Sequence, residues 1–368
     1  MKITGAVLEE MGRERPFASS TPISISELDL SEPGPTEVLV RMEAAGVCHS
    51  DLSVVDGNRP RPLPMLLGHE AAGIVEQVGD QVDGIRLGDR VVMSFLPRCG
   101  QCKECATDGR LPCSVGSRTN NEGVLLSGST HLTRDGEHVH HHLGVSGFAT
   151  HAVVDAASAV VVPKEVPPQI AAVLGCAVLT GGGAVLNAAK PGPDDSVMIV
   201  GLGGVGMAAL IAAVSQEAKE VIAVDMLPAK LELATRLGAH RTFTPVEVAE
   251  QGITADRVIE AAGHPKAFET AVGAIGFGGT MVTVGLPAPT ATATIAPLPL
   301  TAKAQSIVGC YLGSAVPSRD VPEYARLYLE GKLPVEALIS RTIRLEELNE
   351  AMDQLADGEA VRQVILFD

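Results

Sequence analysis

Four cysteines, Cys99, Cys102, Cys105 and Cys113, fall within fifteen residues of one another. Thiolates at that spacing complete a closed tetrahedral shell around zinc. A closed shell offers no position to a substrate, so its role is structural, stapling a loop with Pro97, Gly100 and Gly109 that has little core of its own. An iron–sulfur cluster and chance clustering are the alternatives for the same residues. A second set is dispersed: Cys48 in Gly46-Val47-Cys48-His49-Ser50-Asp51, His69 in Gly68-His69-Glu70, and Cys176 in Leu174-Gly175-Cys176. Taken singly, each reads as a small buried hydrophobe or a satisfied histidine. Taken together, two thiolates and one imidazole with a vacant fourth position make a catalytic zinc site, and zinc there is a Lewis acid for an alcohol oxygen.

A third motif binds phosphate. The apolar run Ser196 to Val200 leads into Gly201-Leu202-Gly203-Gly204-Val205-Gly206 and then an alanine-rich helical stretch. In this G-x-G-x-x-G pattern Gly201 makes the tight turn, Gly203 lets the backbone approach a pyrophosphate, and Gly206 lets helix and strand pack closely. The helix N-terminus presents free N–H groups to the phosphates. A second apolar run, Val221 to Val224, ends at Asp225, about 20 residues on, where a carboxylate accepts the adenosine ribose hydroxyls and repels a 2′-phosphate. NAD is therefore expected over NADP.

These motifs need a scaffold. The 368 residues suggest two domains. Hydrophobic residues make up 46%, with 39 Gly, 24 Pro and 3% aromatics, which fits a compact α/β enzyme rich in tight turns. The first half reads as short β segments, among them Glu37 to Met42, Gly73 to Val78 and Gly88 to Val92, as in a partly open barrel or sandwich. Beyond about residue 170, apolar strands alternate with helices at Ser196 to Val200, Val221 to Val224, Arg257 to Glu260, Thr280 to Val284 and Ser306 to Gly309. That alternation predicts a doubly wound parallel sheet covered on both faces. Helices near Val321 to Leu329 and Leu345 to Leu355 and a terminal strand at Gln363 to Phe367 either extend this domain or return to the first. The formal charge of −16 and the lack of a Lys/Arg run exclude an extended nucleic-acid partner. The N-terminus lacks a signal-peptide pattern and no uninterrupted apolar run has bilayer length, so no membrane partner and a cytoplasmic location are expected.

In order along the chain, Gly46 to Asp51, Gly68-His69-Glu70-Ala71-Ala72-Gly73, the four-cysteine lobe, Cys176, the glycine-rich turn and Val361-Arg362 resemble the zinc-dependent alcohol dehydrogenases of the medium-chain dehydrogenase/reductase superfamily. The resemblance implies a GroES-like β-rich catalytic domain (1–179), a Rossmann NAD-binding domain (180–315) and a return to the catalytic domain (316–368). It implies two zinc ions per chain: a catalytic one on Cys48, His69 and Cys176 with Glu70 as transient ligand, and a structural one on the four-cysteine lobe. Asp51 would orient His69 and Ser50 would take the alcohol proton. His49 and Arg362 resemble pyrophosphate contacts, Lys230 a ribose contact, and Thr180 and Val205 the packing behind the nicotinamide. Phe95, His142 and Leu286 would line the substrate pocket. The segment Gly123 to Phe148 resembles the long loop of dimeric relatives, so a homodimer is expected, with a tetramer as alternative.

Departures matter as well. Where many relatives carry a histidine that finishes the proton relay, this chain has Ser53, leaving His49 or cofactor ribose hydroxyls with water as outlets. The charged residues with which glutathione-dependent relatives hold a substrate carboxylate are missing near Asp56 to Arg61, which disfavours a glutathione adduct. Six of ten histidines fall between His131 and His151; loop polarity explains them without a third metal. Small Ser50 leaves room for a primary medium-chain or aromatic alcohol, with the aldehyde as product. A polyol or secondary-alcohol dehydrogenase is the nearest alternative. A zinc-free quinone reductase and a non-catalytic nucleotide-binding or zinc-lobe interaction protein would leave the dispersed set without a purpose.

Overall fold

The computed structural model describes residues 1–367. One unit comprises Met1–Cys176, Val316–Leu329 and the described residues from Ile339 on; the other comprises Ala177–Ala315 and Glu330–Leu338.

The first unit is organised by one strand. Glu37–Val47 is buried along nearly its whole length and rich in valine, as a strand enclosed on both faces must be. It pairs antiparallel with Ala71–Val78, His151–Asp155 and Gln363–Leu366, within a seven-stranded sheet that also holds Arg90–Met93, Ala159–Val162 and Arg341–Ile343. A six-stranded sheet built on Lys2–Leu8 and Ile23–Leu30 completes the β-rich, GroES-like architecture. The question of the tail is decided by register: Gln363 opposes Val47 and Leu366 opposes Ala44, so the C-terminal strand closes onto the strand that leads into Cys48. Not all of 316–368 goes with it, because Glu330–Leu338 groups with the second unit.

The second unit is a Rossmann fold. Six parallel strands run in the order Arg241–Phe243, Glu220–Val224, Ser196–Val200, Ala255–Glu260, Ile275–Thr283, Ser306–Gly309. The direction of winding reverses between Ser196–Val200 and Ala255–Glu260, and ligands of such sheets bind beyond the strand ends at that point. Two differences from the sequence reading have local causes. Arg241–Phe243 is too short to show a pattern, and the first half of Ile275–Thr283 is obscured by Gly276, Gly278 and Gly279. The helical run Pro168–Ala189 is long and apolar enough on average to cross a bilayer, although Gln169, Thr180 and Asn187 interrupt it and it is not an unbroken apolar run. Yet 89% of its most apolar window is buried inside the protein, as in a core helix.

Candidate functional site

Cys48 ends the central strand and caps the next helix. Its backbone is extended, its N–H donates to Asp51 Oδ2 at 2.9 Å, and Asp51 occupies the third position of helix His49–Val55. This capping box fixes Asp51, whose other oxygen, Oδ1, lies 2.8 Å from His69 Nδ1. With Nδ1 held against Asp51, His69 turns its Nε2 inward, where it faces Cys176 Sγ at 3.5 Å.

Cys176 arrives from a different direction, on the π-helical stretch Leu174–Val178. There Gly175 is required by close approach, because a Cβ would stand 2.1 Å from the Met93 carbonyl oxygen. One ligand atom from each of Cys48, His69, Glu70 and Cys176 lies within 4.8 Å of the others, and all four residues are buried. Both Glu70 carboxylate oxygens lack a hydrogen-bond partner. The nearest cation is Arg362 Nη1, 3.4 Å from Glu70 Oε2, which also donates to the Val47 carbonyl at 3.1 Å. The register of Gln363 with Val47 puts it there. At 3% exposure Arg362 is no solvated surface charge.

These contacts set the electrostatics. Burial raises the Glu70 carboxyl to about 7, against the pull of Arg362. The hydrogen bond from Cys176 holds Cys48 well below the ordinary thiol range, opposed by burial, while that bond and burial push Cys176 up. Two buried thiols, a buried carboxylate and an imidazole thus face one another, with Arg362 beside the carboxylate. Buried anionic donors of this kind call for a cation, and the S, N and O set suits zinc.

The four-cysteine lobe is equally convergent, with its sulfurs all within 4.8 Å of one another. Cys99 and Cys105 stand 4.0 Å apart, Cys102 and Cys113 3.8 Å. Backbone N–H groups of Cys99, Cys105 and Gly116 donate to sulfur at 3.4 Å. Against burial, contacts with Cys105 bring Cys102 down to about 6, while burial and Cys102 drive Cys105 up to about 12. Sequence reasoning missed Arg98, whose guanidinium donates to the carbonyls of Glu104, Cys105 and Leu111 and ties the lobe together. No spacing rule singles out such a side chain.

In the second unit Gly203 is the N-cap of helix Gly204–Ser215. Asp225 accepts from the N–H of Leu202 at 2.7 Å and of Leu227 at 3.0 Å, anchoring the glycine turn with part of its acceptor capacity. The Leu202 amide is thus committed to Asp225, and the cradle at the end of strand Ser196–Val200 is left to the first amides of the helix that Gly203 caps.

Residues 34–164 match the alcohol dehydrogenase GroES-like domain family and residues 204–330 the zinc-binding dehydrogenase family. The chain is 35% identical to putative alcohol dehydrogenase D of Mycobacterium tuberculosis, over 100% of both chains. It is 34% identical to the NDMA-dependent alcohol dehydrogenase of Amycolatopsis methanolica, over 100% of this chain and 99% of that one. The chain belongs to the zinc-binding alcohol dehydrogenases of the medium-chain dehydrogenase/reductase superfamily. The crystal structure of benzyl alcohol dehydrogenase from Acinetobacter calcoaceticus superposes with a TM-score of 0.91 at 33% identity, over 100% of each chain.

The remaining residues singled out in this alcohol dehydrogenase are distributed as follows. Ser50 is half-buried and His49 exposed at the start of helix His49–Val55. The rings of Phe95 and His142 flank His69, each edge-on with centroids 5.5 Å away. Leu286, in the second unit, is 48% exposed; Lys230 and Val205 are half-buried and Thr180 is buried. Ser53 donates its hydroxyl to the His49 carbonyl at 2.8 Å. Among the histidines from His131 to His151, only His142 joins a potential metal-ligand group among the described residues, with Asp51 and His69. His131 instead pairs with buried Glu37 at 2.7 Å.

Proposed function

We propose that this alcohol dehydrogenase holds two zinc ions per chain and transfers hydride between NAD and a primary medium-chain or aromatic alcohol. The observation that carries the reading is the buried convergence of Cys48, His69, Glu70 and Cys176, with both Glu70 oxygens lacking a hydrogen-bond partner. Cys48, His69 and Cys176 would hold the catalytic ion, with Glu70 in reserve, and Cys99, Cys102, Cys105 and Cys113 the structural one. Zinc in the first position supplies a Lewis acid that stabilises negative charge on the substrate oxygen.

The chain's own residues do the rest. Asp51 holds His69 in the tautomer whose Nε2 can bind metal. Ser50, two residues after Cys48, takes the alcohol proton. Because the Ser53 hydroxyl is committed to the His49 carbonyl, the proton leaves by His49 or the cofactor ribose. By resemblance to the family, Arg362 and His49 would contact the pyrophosphate, Lys230 the ribose, and Thr180 and Val205 would pack behind the nicotinamide. By the same resemblance Phe95, His142 and Leu286 would line the substrate pocket, and the likeness to a benzyl alcohol dehydrogenase supports an aryl substrate. A homodimer is supported by the open edge strand Ser306–Gly309 and by Phe277 and Leu298, 80% and 74% exposed in the same unit.

Two substitutions test the cofactor assignment. A Cβ at Gly203 meets nothing within 4 Å and its φ of −77° suits any residue, whereas at Gly206 it would stand 1.8 Å from the Gly201 carbonyl oxygen. Gly203→Val should therefore leave the melting temperature unchanged while weakening NADH binding by roughly 100-fold, the backbone being held off the pyrophosphate. Fluorescence titration reads the effect, and unaltered affinity would remove the cradle from the cofactor site. Asp225→Ser should raise the NADP-to-NAD ratio of kcat/KM by at least about tenfold by removing a charge that repels the 2′-phosphate; an unmoved ratio counts against the ribose role.

For the substrate, a panel of benzyl, medium-chain primary, secondary and polyhydroxy alcohols is assayed with NAD. Faster turnover of primary alcohols is expected, and faster secondary alcohols or polyols would overturn that class. Oxidation that proceeds with NDMA but not with free NAD would align the chain with its Amycolatopsis relative and against exchangeable NAD.

A further inference from the structure

Asp51 does more than orient one histidine. Its Oδ2 accepts the Cys48 N–H at 2.9 Å and its Oδ1 the His69 Nδ1–H at 2.8 Å. A second imidazole stands at that same Oδ1: His142 Nδ1 lies 3.3 Å away, too poorly aligned for a full hydrogen bond but within ion-pair distance. All three side chains are at or near zero exposure. The two rings cross almost at right angles, 84° between planes, so neither blocks the other's approach to the carboxylate.

Neither His142 nitrogen has a protein hydrogen-bond partner, and its Nδ1 lies within ion-pair distance of the Asp51 carboxylate. A buried N–H placed there orients toward the carboxylate and draws on its negative charge. That charge is what makes His69 a strong donor through its far nitrogen.

We propose that His142 is a positioning residue that shares Asp51 with His69 and thereby weakens the grip of His69 on its metal. The inference rests on the assignment of Cys48, His69 and Cys176 as a metal site. A non-polar ring in place of His142 leaves Asp51 wholly to His69, which then binds more tightly. An amide at that position keeps a donor toward Asp51 and restores the behaviour of the original chain.

The test uses the metal itself. The full-length protein is loaded with zinc or Co(II), and loss of each metal to a chelator is timed for wild type, His142→Phe, His142→Asn, Asp51→Asn and the Asp51→Asn/His142→Phe double variant. The four-cysteine lobe serves as internal reference for folding. His142→Phe is expected to slow release from the Cys48 site by roughly threefold to tenfold, a part of the effect seen when direct partners of metal ligands are removed. It should also shift the Co(II) absorption, with His142→Asn returning toward wild type. In the Asp51→Asn background the His142→Phe effect should vanish, which a packing role would not produce. Unchanged release and an unchanged Co(II) spectrum in His142→Phe, or an effect that survives Asp51→Asn, would overturn the proposal alone. A wild-type chain that holds metal only at the lobe overturns the parent assignment and this inference with it.

Discussion

Cys48→Ser should lower kcat by at least about 1,000-fold while leaving the fold and cofactor affinity in place. The size follows from what is lost. A serine hydroxyl is a poor zinc ligand at neutral pH, so a site with two cysteines and one histidine becomes one with a single thiolate. Without the Lewis acid, several kcal/mol of charge stabilisation on the substrate oxygen disappears. The fold should survive because the structural duty of Cys48 lies in its main chain: its N–H donates to Asp51 and starts helix His49–Val55. Serine is nearly the same size as cysteine, and the neighbouring Glu70–Arg362 ion pair at 3.4 Å does not involve the substituted side chain. Cofactor affinity should change by no more than a few-fold, since the glycine turn belongs to the second unit. Steady-state kinetics with circular dichroism and NADH titration check all three parts. Turnover within tenfold of wild type would mean that this residue holds no catalytic metal.

Cys102→Ser should do the opposite, damaging stability far more than chemistry. Between Pro97 and Cys113 only Pro97, Gly109 and Cys113 are buried, so the loop has almost no apolar core to hold it. Its shape depends on four converging sulfurs and on Arg98 bridging three carbonyls. Structural zinc in small domains contributes on the order of 10 kcal/mol of apparent folding free energy. Cys102 itself is only half-buried, so its substitution removes a ligand with little packing cost. The variant should lose one zinc per chain, melt at least about 5 °C lower and be cut by protease within 97–113. The surviving folded fraction should keep kcat within a few-fold. A variant with unchanged melting and protease resistance would show that the lobe stands without metal.

What could be read from the sequence was what lies close along it. The four cysteines announce themselves because their spacing is the constraint, and the glycine turn with Asp225 does so because strand, turn and helix are consecutive. The Rossmann strands followed from apolar runs, except the three-residue Arg241–Phe243 and the glycine-interrupted start of Ile275–Thr283. Long-range pairing was not legible. The tail could have joined either unit until Gln363 was found opposite Val47, and that register alone explains why Arg362 sits on Glu70. Resemblance brought His142 to attention as a pocket residue; its approach to Asp51 depends on a contact between distant segments that no periodicity encodes. The capping box of Cys48 and Asp51, by which a carboxylate three residues after an N-cap reaches back to the backbone, was seen only in the structure; the sequence reading took the role of Asp51 from resemblance.

The most direct test of the account is zinc per chain, measured by mass spectrometry on wild type and Cys48→Ser alongside NAD-linked alcohol oxidation. Two zinc per wild-type chain, falling to one in the variant together with turnover, is the predicted result. Two zinc retained in Cys48→Ser, or full wild-type turnover with the lobe's zinc alone, would contradict it.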